Sequence, residues 1–308
     1  MPVSTSVHIS HCLQLIMSIR PKSILDVGCG FGLWGFLCRE YLDVMEERVW
    51  PDKWTMRIDG IEYFEPYIMD HQRYLYDSIQ IGDIRDLASA VDKYDLIITG
   101  DVIEHMDKPD AEDVLDTLYT KAQKAMLVNI PIGTGWDHPI SHGNPAELHR
   151  SEWSTEDFTF FPNMERMFDI GPLKYGVFLC LKNLTEDQEW SGIHDAAISA
   201  EGRGDFAASS RFLERGLKRI PGDESTIIRL AVAYTNQDRT EEAVTLLTEA
   251  LQSNPSFWHG HYILATALKA LSRTDESLTH VSKILDQPDI DDAMRVRALA
   301  LREELVAK

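Results

Sequence analysis

The stretch Ser23-Ile-Leu-Asp-Val-Gly-Cys-Gly-Phe-Gly32 constrains the fold more than any other. A short apolar run, residues 24–27, breaks into three glycines at alternate positions, so a buried strand turns sharply into a helix that starts near Leu33. Glycine takes positive φ freely and lets a ligand lie against bare amides at a helix N-terminus, where the positive end of the dipole also points. A nucleoside-bearing ligand suits such a turn. Cys29, inside it, reads as a small residue that fits.

Around this turn the chain alternates. A helix over residues 5–19 ends at Pro21, and further helices are expected over 33–45, 66–74 and 110–121, the second of these helices burying Trp34, Leu37, Tyr41 and Leu42. Strands are expected over 56–62, 78–81, 94–99 and 125–130. This alternation predicts a parallel sheet covered on both faces. Residues 164–170 and 175–182 flank Gly171-Pro172 and read as a terminal antiparallel hairpin, which brings the sheet to seven strands.

Beyond Thr185 the pattern is helical only. A 34-residue step superposes Pro221 on Pro255, aligns Ala197, Ala231 and Ala265, and brings Gly204, Asp238 and Ser272 into register at the turns. It also aligns Leu213, Leu247 and Val281 in the second helix of each pair. That step is the tetratricopeptide period; each helix pair buries its apolar face only by stacking, and residues 291–307 cap the end. The expected organisation is therefore an α/β domain over 1–184 and helical repeats over 185–308.

Charge and cysteines narrow the function classes. The formal net charge of −20 repels phosphate backbones, which disfavours bulk nucleic-acid binding. Four cysteines without a C-x-x-C pair point to reduced thiols in a cytoplasmic setting. No stretch approaches eighteen uninterrupted apolar residues, so no membrane association is expected.

Four features sit where parallel strands are expected to end, which is where open α/β sheets bind ligands. They are the glycine turn, Glu62, Asp83, and the segment Gly100-Asp-Val-Ile-Glu-His105. An acid after the second strand suits the two hydroxyls of a ribose, and Asp83 suits the amine of an adenine. Each acid alone is equally a loop carboxylate or a helix cap.

Taken in order, Ile24-Leu-Asp-Val-Gly-Cys-Gly-Phe-Gly32, Ile61-Glu62, Gly82-Asp83-Ile84 and the run from Tyr94 through Met106 resemble the successive motifs of class I S-adenosylmethionine-dependent methyltransferases. The resemblance covers residues 5–184 and implies a Rossmann-like doubly wound fold. It implies that Gly28, Gly30 and Gly32 pack against the methionine part and ribose of S-adenosyl-L-methionine, with Asp26 acting through its surroundings. Glu62 would hold the ribose, Asp83 and Ile84 would flank the adenine, and Gly100 and Asp101 would lie beside the sulfonium. A dehydrogenase fits less well, because the turn lacks G-x-G-x-x-G spacing.

On the acceptor side, Asp101, Glu104 and His105 share one face if a helical turn begins at Asp101. Downstream, His149 stands four residues before Trp153, and Ser154 with Asp157 forms a capping box. A similar pattern occurs in small-RNA 2′-O-methyltransferases and partly in ubiquinone-pathway O-methyltransferases, where the cluster binds a divalent ion. The resemblance therefore implies Mg²⁺ or Mn²⁺ on Asp101, Glu104, His105 and His149, with Glu104, His105 and His149 as the catalytic set. The alternative is that Glu104 and His105 are the ordinary superfamily motif, with one histidine serving as a base or packing. The Gly-, His- and Pro-rich loop over 131–149 is expected to cover the acceptor pocket with Trp136, His138 and His142.

The expected function is O-methylation of a small-molecule or sugar-containing acceptor. Two alternatives stand beside it: a protein or peptide methyltransferase whose repeats recruit the substrate, and a non-catalytic cofactor-binding scaffold. The repeats are expected to hold a protein partner, to self-associate, or to wall off the acceptor site.

Overall fold

A computed structural model describes residues 5–136, 143–182 and 186–307, with side chains omitted for 186–189. The chain divides into two compact units, Met1–Glu186 and Asp187–Lys308. The expected boundary at 184/185 falls on residues outside those described, as do His138 and His142.

The first unit runs α1 (Ile9–Ile19), β1 (Ser23–Val27), α2 (Leu33–Leu42), β2 (Arg57–Glu62), α3 (Asp70–Leu75), β3 (Ser78–Ile81), α4 (Ile84–Leu87) and β4 (Tyr94–Gly100). It continues through α5 (Lys108–Lys121), β5 (Ala122–Ile132), β6 (Asn163–Ile170) and β7 (Leu173–Leu181). The seven strands form one sheet in the order β3-β2-β1-β4-β5-β7-β6. The first five run parallel and β7 is antiparallel to both of its neighbours. This is the doubly wound, Rossmann-like sheet the alternation predicts.

Strand register decides where the site forms. Val27 pairs with both Ile61 and Thr99, so the carboxyl ends of β1, β2 and β4 finish level. Gly28, Glu62 and Gly100 therefore emerge at one sheet edge. The strand order reverses there, between β1 and β4, and opens a crevice. Ile24, Ile58, Leu96 and Ile98 are fully buried and anchor the edge from below.

Helix α2 departs from the expected stripe. Its buried residues are Trp34, Gly35, Cys38 and Arg39, whereas Leu37, Tyr41 and Leu42 are only half-buried. Arg39, 2% exposed, is tolerated inside because its guanidinium is saturated. It pairs with the fully buried Asp43 at 2.7 Å and donates to the Met56 and Leu75 carbonyls. A periodicity count treats arginine as a surface residue and misses this.

The second unit contains α6 (Glu186–Gly202), α7 (Phe206–Arg219), α8 (Glu224–Thr235), α9 (Thr240–Ser253), α10 (Trp258–Ala270), α11 (Thr274–Leu285) and α12 (Asp292–Val306). The 34-residue register holds in detail. Gly204, Asp238 and Ser272 all adopt left-handed φ, at 76°, 59° and 60°. The amides of Asp205, Arg239 and Arg273 close the same turn onto the carbonyls of Ala200, Tyr234 and Leu268. Ala197, Ala231 and Ala265 are fully buried, as are Leu213, Leu247 and Val281. The unit is an all-α helical repeat.

Candidate active site

The glycine turn has the backbone its sequence demands. Gly28, Gly30 and Gly32 lie at φ +69°, +47° and +79°. A Cβ on Gly28 would sit 2.4 Å from Val102 Cγ2, so the turn after β1 and the turn after β4 touch only because that atom is missing. The glycine amides themselves are occupied, however. Gly28 and Cys29 donate to the Ile61 carbonyl, Gly32 donates to the Cys29 carbonyl, and Gly30 donates to Glu62 Oε2 at 2.9 Å. The glycines supply shape and close approach, while their own N–H groups hold the turn together.

Glu62 ends β2, is 5% exposed, and accepts from Gly30 and, at 2.8 Å, from the Phe64 amide. Burial pushes its pKa up, partly offset by these two donors. Asp26 lies beneath the turn and does not line the cavity above it. It is 1% exposed, accepts from the Tyr76 hydroxyl at 2.5 Å, and is pushed up by burial to about 7. Tyr76 in turn accepts from the Gly35 amide, so Asp26 steadies the start of α2 indirectly.

Asp83 and Ile84 reach the cavity as expected. Asp83 is the N-cap of α4, accepting from the Arg85 amide at 2.9 Å. Its carboxylate is also held by the Arg85 guanidinium at 3.0 and 2.6 Å, which lowers its pKa. Arg85, which the sequence reading passes over, thus competes for the oxygens assigned to an adenine amine.

After β4 the chain does not begin a helical turn at Asp101. Asp101 is left-handed at φ 52°, and the 3₁₀ turn spans Ile103–His105, so the shared-face argument fails for this residue. Its Oδ1 accepts from the Tyr175 hydroxyl at 2.7 Å, and Tyr175 accepts from Asn129 Nδ2 at 3.0 Å. Gly100 beside it is required by packing, because a Cβ there would meet Asn129 and Trp34 within 3 Å.

The structure brings Glu104, His105 and His149 together. Their ligating atoms all lie within 4.8 Å of one another, and the two imidazoles meet edge to face at 5.0 Å. Asp101 is not part of this trio. Glu104 is 2% exposed and lies against the Asp101 carboxylate. Burial, reinforced by the Asp101 carboxylate, pushes its pKa well above the usual range. His149 is delivered by the backbone, since the amides of Arg150 and Ser151 both donate to the Glu104 carbonyl. The Ser154–Asp157 capping box forms as expected, on a 3₁₀ turn.

Besides Arg85, the lining residues Tyr175, Tyr67 and Glu147 escaped the sequence reading. Tyr175 opens the interior of β7, while Tyr67 and Glu147 meet across 80 residues of sequence. Only Glu147 carried a signal, as the sole acid of the Gly-, His- and Pro-rich loop apart from Asp137. Trp136 lines the cavity, its indole donating to the Ile132 carbonyl at 3.2 Å.

The glycine turn, Glu62, Asp83, Asp101 and the trio line one cavity of about 1120 Å³. Its volume exceeds the ~300–1,000 Å³ typical of a single small ligand.

No protein-family model matches the chain. A curated relative, the peroxisomal targeting signal receptor of Candida glabrata, is 31% identical over 85 residues, or 28% of this chain and 14% of that protein. The chain thus spans a small part of that relative's length. TehB from Haemophilus influenzae aligns with a TM-score of 0.42 at 16% identity, covering 58% of this chain and 64% of TehB, just under two thirds. Magnesium protoporphyrin IX methyltransferase from Synechocystis PCC 6803 with bound SAH aligns at 0.40 and 13% identity, covering 57% and 82%. The small RNA methyltransferase HEN1 aligns at 0.38 and 14% identity, covering 60% and 27%. These likenesses are distant, and the chemistry of the cavity rests on its own residues. No helix among the described residues is long and apolar enough to cross a membrane.

Proposed function

We propose that the chain is an S-adenosylmethionine-dependent methyltransferase that methylates an oxygen of a small-molecule or sugar-containing acceptor. The observation that carries this reading is one cavity with two chemically distinct walls. One wall is the glycine turn with Glu62, Asp83 and Ile84; the other is Glu104 with His105 and His149. When bound, S-adenosylmethionine supplies an electrophilic methyl group next to a sulfonium. The glycine turn would shape the floor for it, Glu62 would hold its ribose, and Asp83 and Ile84 would flank its base. Asp101, fixed by Tyr175, would offer a carboxylate to the positive centre.

The acceptor wall fits a divalent cation. It offers one hard, buried carboxylate and two imidazoles with their ligating atoms within 4.8 Å of one another. Mg²⁺ or Mn²⁺ on Glu104, His105 and His149 would lower the pKa of an acceptor hydroxyl. As ligands of the cation both imidazoles would be committed to it and the hydroxyl proton would pass to water; without the cation, one of His105 and His149 would accept that proton as a base, with orientation carrying much of the rate. Asp101 stays outside this set and belongs to the cofactor wall.

For the second unit we propose a tetratricopeptide-like stack that holds a protein partner or a second copy of this chain. The 34-residue repetition of its left-handed turns supports that reading. Cytoplasmic residence agrees with four buried cysteines that form no disulfide.

Calorimetry with S-adenosylhomocysteine, paired with transfer of a radiolabelled methyl group to a metabolite extract, tests the function. Binding with label in a small-molecule fraction is expected. Binding with no label in any fraction would favour a scaffold, label in protein would favour a protein methyltransferase, and no binding overturns the proposal. Full turnover in excess chelator would remove the cation.

A further inference from the structure

His149 reaches the acceptor wall on a stretch held at two points. Ahead of it, the Tyr67 hydroxyl donates to Glu147 Oε1 at 2.9 Å, and both residues are only 6% exposed. Behind it, the amides of Arg150 and Ser151 donate to the Glu104 carbonyl at 2.8 and 3.1 Å. We propose that the Tyr67–Glu147 bond is a latch that positions His149 against Glu104 and His105. Tyr67 and Glu147 are then positioning residues for the acceptor wall, an assignment that rests on the methyltransferase reading above.

The two partners are unequal in rigidity. Tyr67 is fixed: Gln72 Nε2 donates at 2.7 Å both to its carbonyl and to that of Gly30, and its ring packs edge-on against Phe64 at 4.9 Å. Glu147 ends the short 3₁₀ turn Pro145–Glu147, whose cap is Asn144. Asn144 adds a longer bond to the same Glu147 oxygen at 3.3 Å. Just upstream, Gly143 is exposed at φ +72°. The latch thus ties the stretch that leads to His149 to the floor of the cofactor wall.

Loss of the hydroxyl leaves a buried carboxylate short of its best donor, which drives Glu147 toward water. His149 follows two residues later. Displacement of a reacting group by about 1 Å is enough to cost on the order of a hundredfold in rate. A purely structural contact would instead weaken the whole unit evenly.

Hydrogen exchange on the full chain separates the two. Tyr67→Phe and Glu147→Ala are expected to speed exchange of the Arg150 and Ser151 amides by about tenfold, with Ile97 and Ile98 in β4 unchanged. Glu147→Gln keeps an oxygen acceptor for Tyr67 and is expected to stay within about twofold of the parent. Calorimetry with Mn²⁺ should show about tenfold weaker binding by Tyr67→Phe, while S-adenosylhomocysteine affinity holds within about twofold. Unchanged exchange at Arg150 and Ser151, or equal acceleration in β4, overturns the latch. If the parent protein binds no Mn²⁺, the cation reading fails, and the exchange result alone decides the latch.

Discussion

Asp26→Asn isolates the cost of keeping a carboxylate under the glycine turn. Burial raises Asp26 from 3.8 to about 7, so between these values the folded chain binds a proton that the unfolded chain releases. Stability attributable to this group is therefore greatest at low pH and falls as pH rises through the window from 3.8 to about 7. Integrating the linkage between pH 6 and pH 8 gives a loss of about 1.4 kcal/mol. Asparagine does not titrate. Any mismatch of its amide with Tyr76 is a constant offset that cancels from the pH slope. The assay is urea unfolding of the full chain at pH 6 and pH 8, read by hydrogen exchange of β1 and β4 so that the helical unit does not contribute. The variant should gain about 1.4 kcal/mol on the parent between the two pH values. Parallel slopes, or a parent that gains on the variant, would refute the argument.

Three further outcomes are expected. His149→Ala should lower turnover by about a hundredfold or more while S-adenosylhomocysteine affinity is nearly kept; a defect confined to cofactor binding would move His149 off the acceptor wall. Asp83→Ala should weaken S-adenosylhomocysteine by about 1–2 kcal/mol, since it removes the cap of α4 along with the carboxylate, and an unchanged calorimetric affinity would remove Asp83 from the adenine site. In the helical unit, His261 donates Nε2–H to the Pro255 carbonyl, which leaves its Nδ1 to accept from His280 Nδ1–H at 2.7 Å. Burial, with His261 and Lys283 nearby opposing the charge and Glu276 favouring it, lowers His280 to about 4, so this stability is complete above pH 6.5 and is lost as pH falls toward 4. His280→Gln should flatten the acid limb of the thermal midpoint measured on α10 and α11.

The sheet was legible because each strand is a compact apolar run ending in a turn residue, and the repeats because their period survives in three independent columns. The site was only half legible. Glu62 and the glycines are fixed by local chain geometry, which a short stretch of sequence contains. Arg85 at Asp83, Tyr76 at Asp26 and Tyr175 at Asp101 are partners supplied by other turns of the fold, and spacing says nothing about them. Asp101 shows the limit best. A helical spacing placed it in the metal set, but one left-handed residue hands one carboxylate oxygen to Tyr175 of β7 while the carboxylate still lies against Glu104, outside the trio.

These partners expose a common electrostatic design. Glu62 and Glu104 on the cavity wall and Asp26 beneath it are all raised chiefly by burial, so the protein holds these carboxylates against their preference for water. Arg85, a cation on the cavity wall, is already paired with Asp83 and Asp110. A ligand bringing positive charge relieves this burden, whereas a phosphate-rich acceptor adds to it. That asymmetry supports a sulfonium cofactor on one wall and a divalent cation on the other, and it favours a small neutral acceptor over RNA. It also explains why Glu147 is tied to Tyr67: a hydroxyl donor keeps a further carboxylate in the cavity without bringing in a cation that would compete for the trio.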